Sequence, residues 1–175
     1  CDALDIEQAV PQMAAHNGPV YMRLLRGNVP LVLDEYDYQF ELGKAKRLVD
    51  GDEVLIISSG FLTMRALEVA KALQADHIGV GVMHCPTIKP LDVATILAEV
   101  QRKPRLVVVA ENHSVVGGLG ESVASALLQN GVQPARFRLA GLPDAYLDAG
   151  ALPTLHDRYG ISTEALSARV KAWLT

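Results

Sequence analysis

Cysteine is scarce in this sequence of 175 residues, and its scarcity excludes two classes of protein. Cys1 and Cys85 cannot make the disulfide framework of a small secreted domain, and no spacing of Cys and His resembles a zinc site. No apolar run approaches the roughly 20 residues that a membrane-spanning helix needs. The sequence therefore predicts a core held by packing, without a metal site and without a membrane span.

An excess of charge of one sign is also lacking. The formal net charge of −4 gives no indication of binding to nucleic acid or to a membrane surface. Half of the residues are apolar, which is enough for one core, or for one domain and part of another. The first residues lack the pattern of a secretory signal, so we expect a cytoplasmic protein. They begin within a helix-capping motif, from which we expect the carboxyl-terminal piece of a longer protein.

What is present is a regular alternation of helical spacings and short apolar runs. The predicted helices cover 2–16, 61–73, 92–100 and 119–129, with a last one capped by Ser162, and the predicted strands cover 20–25, 54–57, 78–82, 106–110 and 136–139. Arg136 and Arg138 alternate with apolar residues, which predicts an edge strand with one solvent-exposed face. Residues 141–161 are predicted to be mainly loop. The fold class that follows is α/β, a three-layer α/β/α sandwich around a mostly parallel open sheet.

Three parts of the chain differ in character. Residues 1–25 hold a helix and a strand without an earlier strand, which indicates the end of a truncated domain. Residues 26–52 are polar and lack a long periodic element, so they are predicted to be an interdomain linker. Residues 53–175 are predicted to form a complete α/β domain.

The stretch AENHSVVGGLGES, residues 110–122, is the most informative motif. It follows a buried strand and precedes a helix, at the sheet edge where open α/β proteins place ligands or partner contacts. The glycines permit positive φ, and helix amides can bind an anion. The candidate anion or partner contacts are Glu111, His113, Gly117, Gly118 and Gly120. The alternative is structural, with the glutamate capping a neighbouring loop and the glycines forming a tight turn under a closely packed helix. The spacing excludes a dinucleotide fingerprint and a P-loop.

Two arginines and one cysteine are further candidates. Arg23 and Arg26 lie at and just past the end of the predicted strand 20–25, where a guanidinium suits a phosphate or carboxylate. The alternative is a surface ion pair with Asp34, Glu35 or Asp37. Cys85 is interpreted as structural. No set of residues forms a nucleophile, a base and an oxyanion site, so we expect no catalytic residue in this chain.

Four segments in a fixed order carry a resemblance to a known family. They are GPVYMRLLRGNVP (18–30), FELGKA (40–45) before VLIISSG (54–60), TIKPLD (87–92) and ENHSVVGGLGES (111–122). Together they resemble the carboxyl-terminal part of the transketolase family of thiamine-diphosphate enzymes. The resemblance implies that residues 1–25 end the pyrimidine-binding domain and that residues 53–175 are the transketolase C-terminal domain.

The resemblance implies an enzyme part. The whole enzyme would transfer a two-carbon ketol unit between phosphorylated sugars, as in the pentose phosphate pathway. Thiamine diphosphate and Mg²⁺ would be held by upstream domains or by a separate subunit, with no cofactor expected on this chain. The chain would support a homodimer or higher oligomer. Arg26 matches the family arginine that binds the sugar phosphate, and Arg23 matches more weakly.

Three alternatives to the transketolase interpretation stay open. The first is part of a 1-deoxy-xylulose-5-phosphate synthase, because Arg26-Gly27-Asn28 also resembles its motif. The second is a 2-oxoacid dehydrogenase β subunit, which shares the same fold. The third is a non-catalytic domain for subunit association.

Overall fold

The computed structural model describes residues 1–25 and 27–175, and its central feature is a five-stranded sheet. The strands are β1 (Lys46–Val49), β2 (Val54–Ser58), β3 (Val80–His84), β4 (Leu106–Ser114) and β5 (Arg136–Leu142), in the order β1-β3-β2-β4-β5. Strands β2 to β5 pair in parallel, whereas β1 pairs with β3 in the antiparallel sense. The strand at 136–142 lies at one edge, as its alternating arginines predict.

Helices cover both faces of this sheet. They are α1 (Ala3–Ala15), α2 (Phe61–Gln74), α3 (Val93–Gln101), α4 (Leu119–Gln129), α5 (Leu152–Arg158) and α6 (Thr163–Leu174). Helices α2 and α6 pack against Val54 and Ile56 on one face, and α3 and α4 pack against Leu55 and Ile57 on the other. Because β2 is buried on both faces, its first four residues are all apolar rather than alternating. The predicted three-layer α/β/α sandwich is confirmed.

The strand predicted at residues 20–25 is wrong, since this segment has no regular structure. A strand needs a neighbour to pair with its amides and carbonyls, and among the described residues no strand of the sheet pairs with this segment. Most of its apolar side chains are exposed, with Tyr21 at 87% and Leu24 at 58%, whereas Met22 packs against the cluster around Leu33.

The segment 26–52 contributes to the core, although no strand is predicted there. It supplies β1 and a short 3₁₀ helix, Leu33–Tyr36. Its side chains of Leu33, Tyr38 and Phe40 are buried in a cluster with Ala9 of α1. A four-residue edge strand leaves little periodic signal, which explains why the sequence does not reveal it. The division of the chain into three domains stays a prediction.

Helix α5 was also missed, because it lies within residues 141–161, which were predicted to be mainly loop. Seven residues are too few for a periodic pattern, although Pro153 in its first turn suits a helix start. Strand β3 begins and ends two residues later than predicted, and β4 continues four residues further. Among residues 1–25 and 27–175, no helix has the length and apolar character to cross a bilayer.

Candidate functional site

Glu111 lies in β4 with its side chain buried, and its carboxylate points at the start of α4. Its two oxygens accept hydrogen bonds from the backbone amides of Leu119 and Gly120, both at 2.9 Å. The first turn of a helix has amides without intrahelical partners and a positive partial charge, so a carboxylate stabilises it. The amides that were candidates for an external anion are thus bonded within the chain. This geometry supports the alternative in which Glu111 is a structural cap, and the contact role of the loop stays a prediction.

Each glycine of the candidate loop has a steric or conformational reason to be glycine. Gly117 turns the chain with φ of +72°. A Cβ added at Gly118 would lie 2.6 Å from the carboxyl carbon of Glu111, and one at Gly120 would lie 2.5 Å from the Leu139 side chain on β5. The three glycines therefore let the chain turn and let α4 pack closely against β4 and β5.

His113 remains accessible, unlike the residues around it that cap or pack. Its ring is exposed, with Nδ1 3.4 Å from the carbonyl oxygen of Ser114. Val116 in the same loop is also exposed, at 53%. Both side chains are accessible to a partner.

The predicted phosphate-binding arginines belong to the segment after α1. Arg23 is exposed within the irregular stretch 20–25. Arg26 lies outside the described residues, so its contact with a phosphate stays a prediction, as does that of Arg23.

A buried polar group, here called the Asp5 cluster, was missed by the sequence analysis; it consists of Asp5, Tyr38, Ser58, Thr63 and His84. The Tyr38 hydroxyl donates to Asp5 Oδ1 at 2.7 Å, and His84 Nε2 lies 3.2 Å from Asp5 Oδ2. On the other side of the ring, Thr63 Oγ1 lies 2.8 Å from His84 Nδ1, and Ser58 Oγ lies 3.0 Å from Thr63 Oγ1. The cluster joins α1 to β2, α2 and β3.

Burial and pairing set the charges of the Asp5 cluster. Burial lowers the pKa of His84, although the hydrogen bond and charge of Asp5 oppose this. Burial would raise the pKa of Asp5, but the hydrogen bond with His84 holds it below its usual range. Burial and the Asp5 carboxylate raise the pKa of Tyr38. A neutral imidazole beside an ionised carboxylate follows, in which Nε2–H donates to Asp5 and Nδ1 accepts from Thr63.

Helix α1 is also held by two glutamines that bond the main chain of an extended segment. Gln8 accepts from the amide of Phe40 at 2.6 Å and donates to the carbonyl of Tyr38 at 3.3 Å. Gln12 accepts from the amide of Leu42 at 3.0 Å and donates to the carbonyl of Phe40 at 2.6 Å. Gln8 and Gln12 are four residues apart and so lie on one side of the helix. Alternate residues of an extended chain face the same way, so Phe40 and Leu42 both turn their amides toward these glutamines.

Among the described residues, neither Cys85 nor any group of potential metal ligands forms a reactive centre. Burial, and then the charge of Asp92, raise the pKa of the Cys85 thiol to about 12, which supports its structural interpretation. Within residues 1–25 and 27–175, no group of three or more His, Cys, Asp or Glu is arranged to hold a metal ion. With the α4 amides bonded to Glu111, the described residues do not fit a Mg²⁺-bound diphosphate.

Comparison with known proteins identifies the family. The family described as "Transketolase, C-terminal domain" matches residues 43–166. The chain belongs to the transketolase family. The transketolase family protein y4mN of Sinorhizobium fredii is 69% identical over 174 residues, which cover 99% of this chain and 50% of that protein. The 6-deoxy-6-sulfo-D-fructose transketolase subunit SqwH of a Clostridium species is 36% identical over 165 residues, covering 94% of this chain and 50% of that subunit.

A solved structure supports the same assignment for this transketolase-family chain. A structure described as split gene transketolase, inactive β4 tetramer, is 34% identical and superposes with a TM-score of 0.89 over 99% of this chain and 56% of that chain. This chain spans about half the length of these two curated relatives. It corresponds to the carboxyl-terminal section of a transketolase-family protein, which confirms the resemblance drawn from its four segments.

Proposed function

We propose that this chain is the carboxyl-terminal section of a transketolase that transfers a two-carbon ketol unit between phosphorylated sugars. The observation that carries the proposal is the superposition on split gene transketolase over 99% of the chain. Relatives named as transketolase subunits include one for 6-deoxy-6-sulfo-D-fructose and one for apulose 4-phosphate, so the sugar varies within the family. When bound to the complete enzyme, thiamine diphosphate would supply the electron sink for the transfer.

In this proposal the chain acts as scaffold and substrate contact. Arg26 and Arg23 would bind the substrate phosphate, and upstream domains or a second subunit would hold the cofactor with Mg²⁺. Exposed apolar side chains on α1 support such a partner, because Ile6 and Val10, four residues apart on one side of the helix, are exposed at 37% and 50%. An exposed apolar helix face suits an interaction site. The complete enzyme would be a cytoplasmic dimer or higher oligomer.

The test is reconstitution with the upstream part of the same gene or operon. The chain alone and the combined protein are assayed for ketol transfer from a phosphorylated ketose, and thiamine diphosphate binding is measured by titration calorimetry with Mg²⁺ present. We expect activity and cofactor binding from the combined protein and neither from the chain alone. Micromolar cofactor binding by the isolated chain would contradict the division of roles. A combined protein that binds cofactor without any transferase activity would contradict the proposed function.

A second candidate is part of a 1-deoxy-D-xylulose-5-phosphate synthase. It is favoured by the motif Arg26-Gly27-Asn28 and by relatives that carry this name, one of them 29% identical over 174 residues. Product analysis of the same combined protein separates the two candidates. Formation of 1-deoxy-D-xylulose 5-phosphate in place of a transferred ketol unit would select the synthase.

A further inference from the structure

Two hydroxyl groups in the Asp5 cluster extend from His84 to a backbone carbonyl. Thr63 Oγ1 lies 2.8 Å from His84 Nδ1, and Ser58 Oγ lies 3.0 Å from Thr63 Oγ1. Ser58 Oγ also lies 3.3 Å from the carbonyl oxygen of Met83. The groups form one unbranched path from the carbonyl through both hydroxyls and the imidazole to the Asp5 carboxylate, and every side chain along it is buried.

This path is fully hydrogen-bonded when the imidazole is neutral. His84 Nε2–H donates to Asp5, and the Thr63 hydroxyl donates to Nδ1. The Ser58 hydroxyl then donates to Thr63 Oγ1. Each hydroxyl provides one donor and can accept as well, so no buried polar hydrogen lacks a partner.

The same path is also fully hydrogen-bonded when the imidazole carries a second proton. His84 Nδ1–H then donates to Thr63 Oγ1, the Thr63 hydroxyl donates to Ser58 Oγ, and the Ser58 hydroxyl donates to the carbonyl of Met83. Only hydroxyl hydrogens rotate between the two arrangements, and no heavy atom has to move. An ordinary buried histidine bonded to a fixed acceptor or donor loses a bond in one of its protonation states.

We infer that Ser58, Thr63 and His84 form a hydroxyl relay that lets the buried imidazole gain or lose a proton while it stays bonded to Asp5. Because Asp5 belongs to α1 and the relay belongs to β2, α2 and β3, the relay keeps α1 bonded to the sheet in both states. This inference is independent of the proposed transferase activity.

The groups around the ring favour opposite protonation states. The titratable or charged groups that face His84 or adjoin it are Asp2, Asp5, Tyr38, Cys85 and, across the β1 pairing, Lys46. Both aspartates favour the protonated ring, whereas burial opposes it. The second proton is therefore taken up at a pH below the ordinary histidine range.

The test measures the imidazole nitrogens of His84 by ¹⁵N NMR in the full chain, across a pH series, with His84→Gln for assignment. At neutral pH we expect the Nε2–H tautomer. Ser58→Ala removes the acceptor that the Thr63 hydroxyl needs only in the protonated arrangement, so the proton affinity of His84 should fall about tenfold. The matched control, Thr63→Ser, retains the hydroxyl and should change this affinity by less than about threefold.

A second measurement follows the amides of α1 by hydrogen exchange. In the wild-type chain we expect their protection to persist through the titration of His84, and in Ser58→Ala to decrease once the ring is protonated. Three results would each overturn the relay. They are an Nδ1–H tautomer at neutral pH, equal proton affinities in wild type and Ser58→Ala, and no titration of His84 in the folded wild-type chain. If Ser58→Ala does not fold, the tautomer and the titration of the wild-type chain still decide.

Discussion

Gly118 lies directly against the carboxylate of Glu111, with no room for a side chain between them. An added Cβ would be 2.6 Å from the carboxyl carbon. The carboxylate is held there because it accepts from the amides of Leu119 and Gly120. The end of β4 and the start of α4 are therefore joined by one buried, charge-assisted contact, which requires both the glutamate and the missing side chain.

Gly118→Ala should lower the free energy of unfolding by about 1–3 kcal/mol, because the added methyl group must displace a buried carboxylate. The φ of −93° at this position suits any residue, so the loss would be steric. Gly150→Ala is the control, since its nearest contact would be an ordinary 3.5 Å to Leu155. Urea denaturation measures both variants. Equal stabilities for the two variants would show that the close approach at Gly118 is without effect.

Glu111→Gln should also destabilise the chain, by about 1–3 kcal/mol, because the amide group of glutamine presents a donor to one of the two backbone amides. The control lies in the same loop. Glu121 accepts from the amide of Gly117 at 2.8 Å but is exposed, so Glu121→Gln should cost less than about 0.5 kcal/mol. Thermal or urea unfolding of the pair tests the buried cap. A Glu111→Gln protein as stable as wild type would mean that an external group, rather than this carboxylate, satisfies the helix start.

Stability should fall as the pH is lowered, in part because of His156. Its ring is buried against Phe61 at 5.3 Å between centroids, and its Nδ1 has no partner among the described residues. Burial, and then the charge of Arg65, lower the pKa of His156 below its ordinary value of 6.5. As the pH falls below 6.5, His156 therefore takes up a proton in the unfolded chain before it does so in the folded chain. The stability that is present above pH 6.5 is lost progressively as the pH approaches the lower pKa of His156 in the folded chain.

His156→Phe isolates this contribution. The free energy of unfolding is measured between pH 8 and pH 5 for wild type and variant, and other titrating groups act equally on both. We expect the variant to lose less stability on acidification. Parallel pH profiles would contradict the assignment to His156.

Arg26→Ala should raise KM for phosphorylated sugars about ten- to a hundredfold in the reconstituted enzyme, because a charge-assisted contact of roughly 1.5–3 kcal/mol is lost. Unphosphorylated acceptors should be almost unaffected. Arg26→Lys should restore part of the affinity, since it keeps the charge without the fork of donors. An equal effect on both kinds of substrate would remove Arg26 from phosphate binding. Arg23→Ala, measured alongside, tells whether the second arginine shares the role.

The parts of the fold that follow from local pattern are predictable from the sequence. The helix at 119–129 has the predicted ends, because Gly118 and Gly131 punctuate it on both sides. Strand β2 is apolar on both faces and is found within one residue. In contrast, β1 is a four-residue edge strand whose partner is more than 30 residues away in the sequence, and such pairing leaves no local signal.

The candidate site shows the same limit. The sequence places Glu111 at the end of a strand before a glycine-rich turn, but it does not tell whether the carboxylate turns outward or back onto α4. That choice depends on how closely α4 packs, which three-dimensional structure alone reveals. Asp5 and His84 are 79 residues apart in sequence, so no motif joins them.

The two glutamines of α1 have a consequence for how this protein tolerates change. Gln8 and Gln12 bond main-chain atoms of the segment 38–42, and a main chain is the same whatever side chains it carries. Gln39 and Glu41 point away from the helix and are exposed. Mutations at these two positions leave the contact intact, whereas replacing Gln8 or Gln12 removes hydrogen bonds to the segment. Side chains on the segment 38–42 are therefore free to vary at this interface, whereas those of α1 are constrained. Positions 39 and 41 are suitable for attaching a label or a spectroscopic probe.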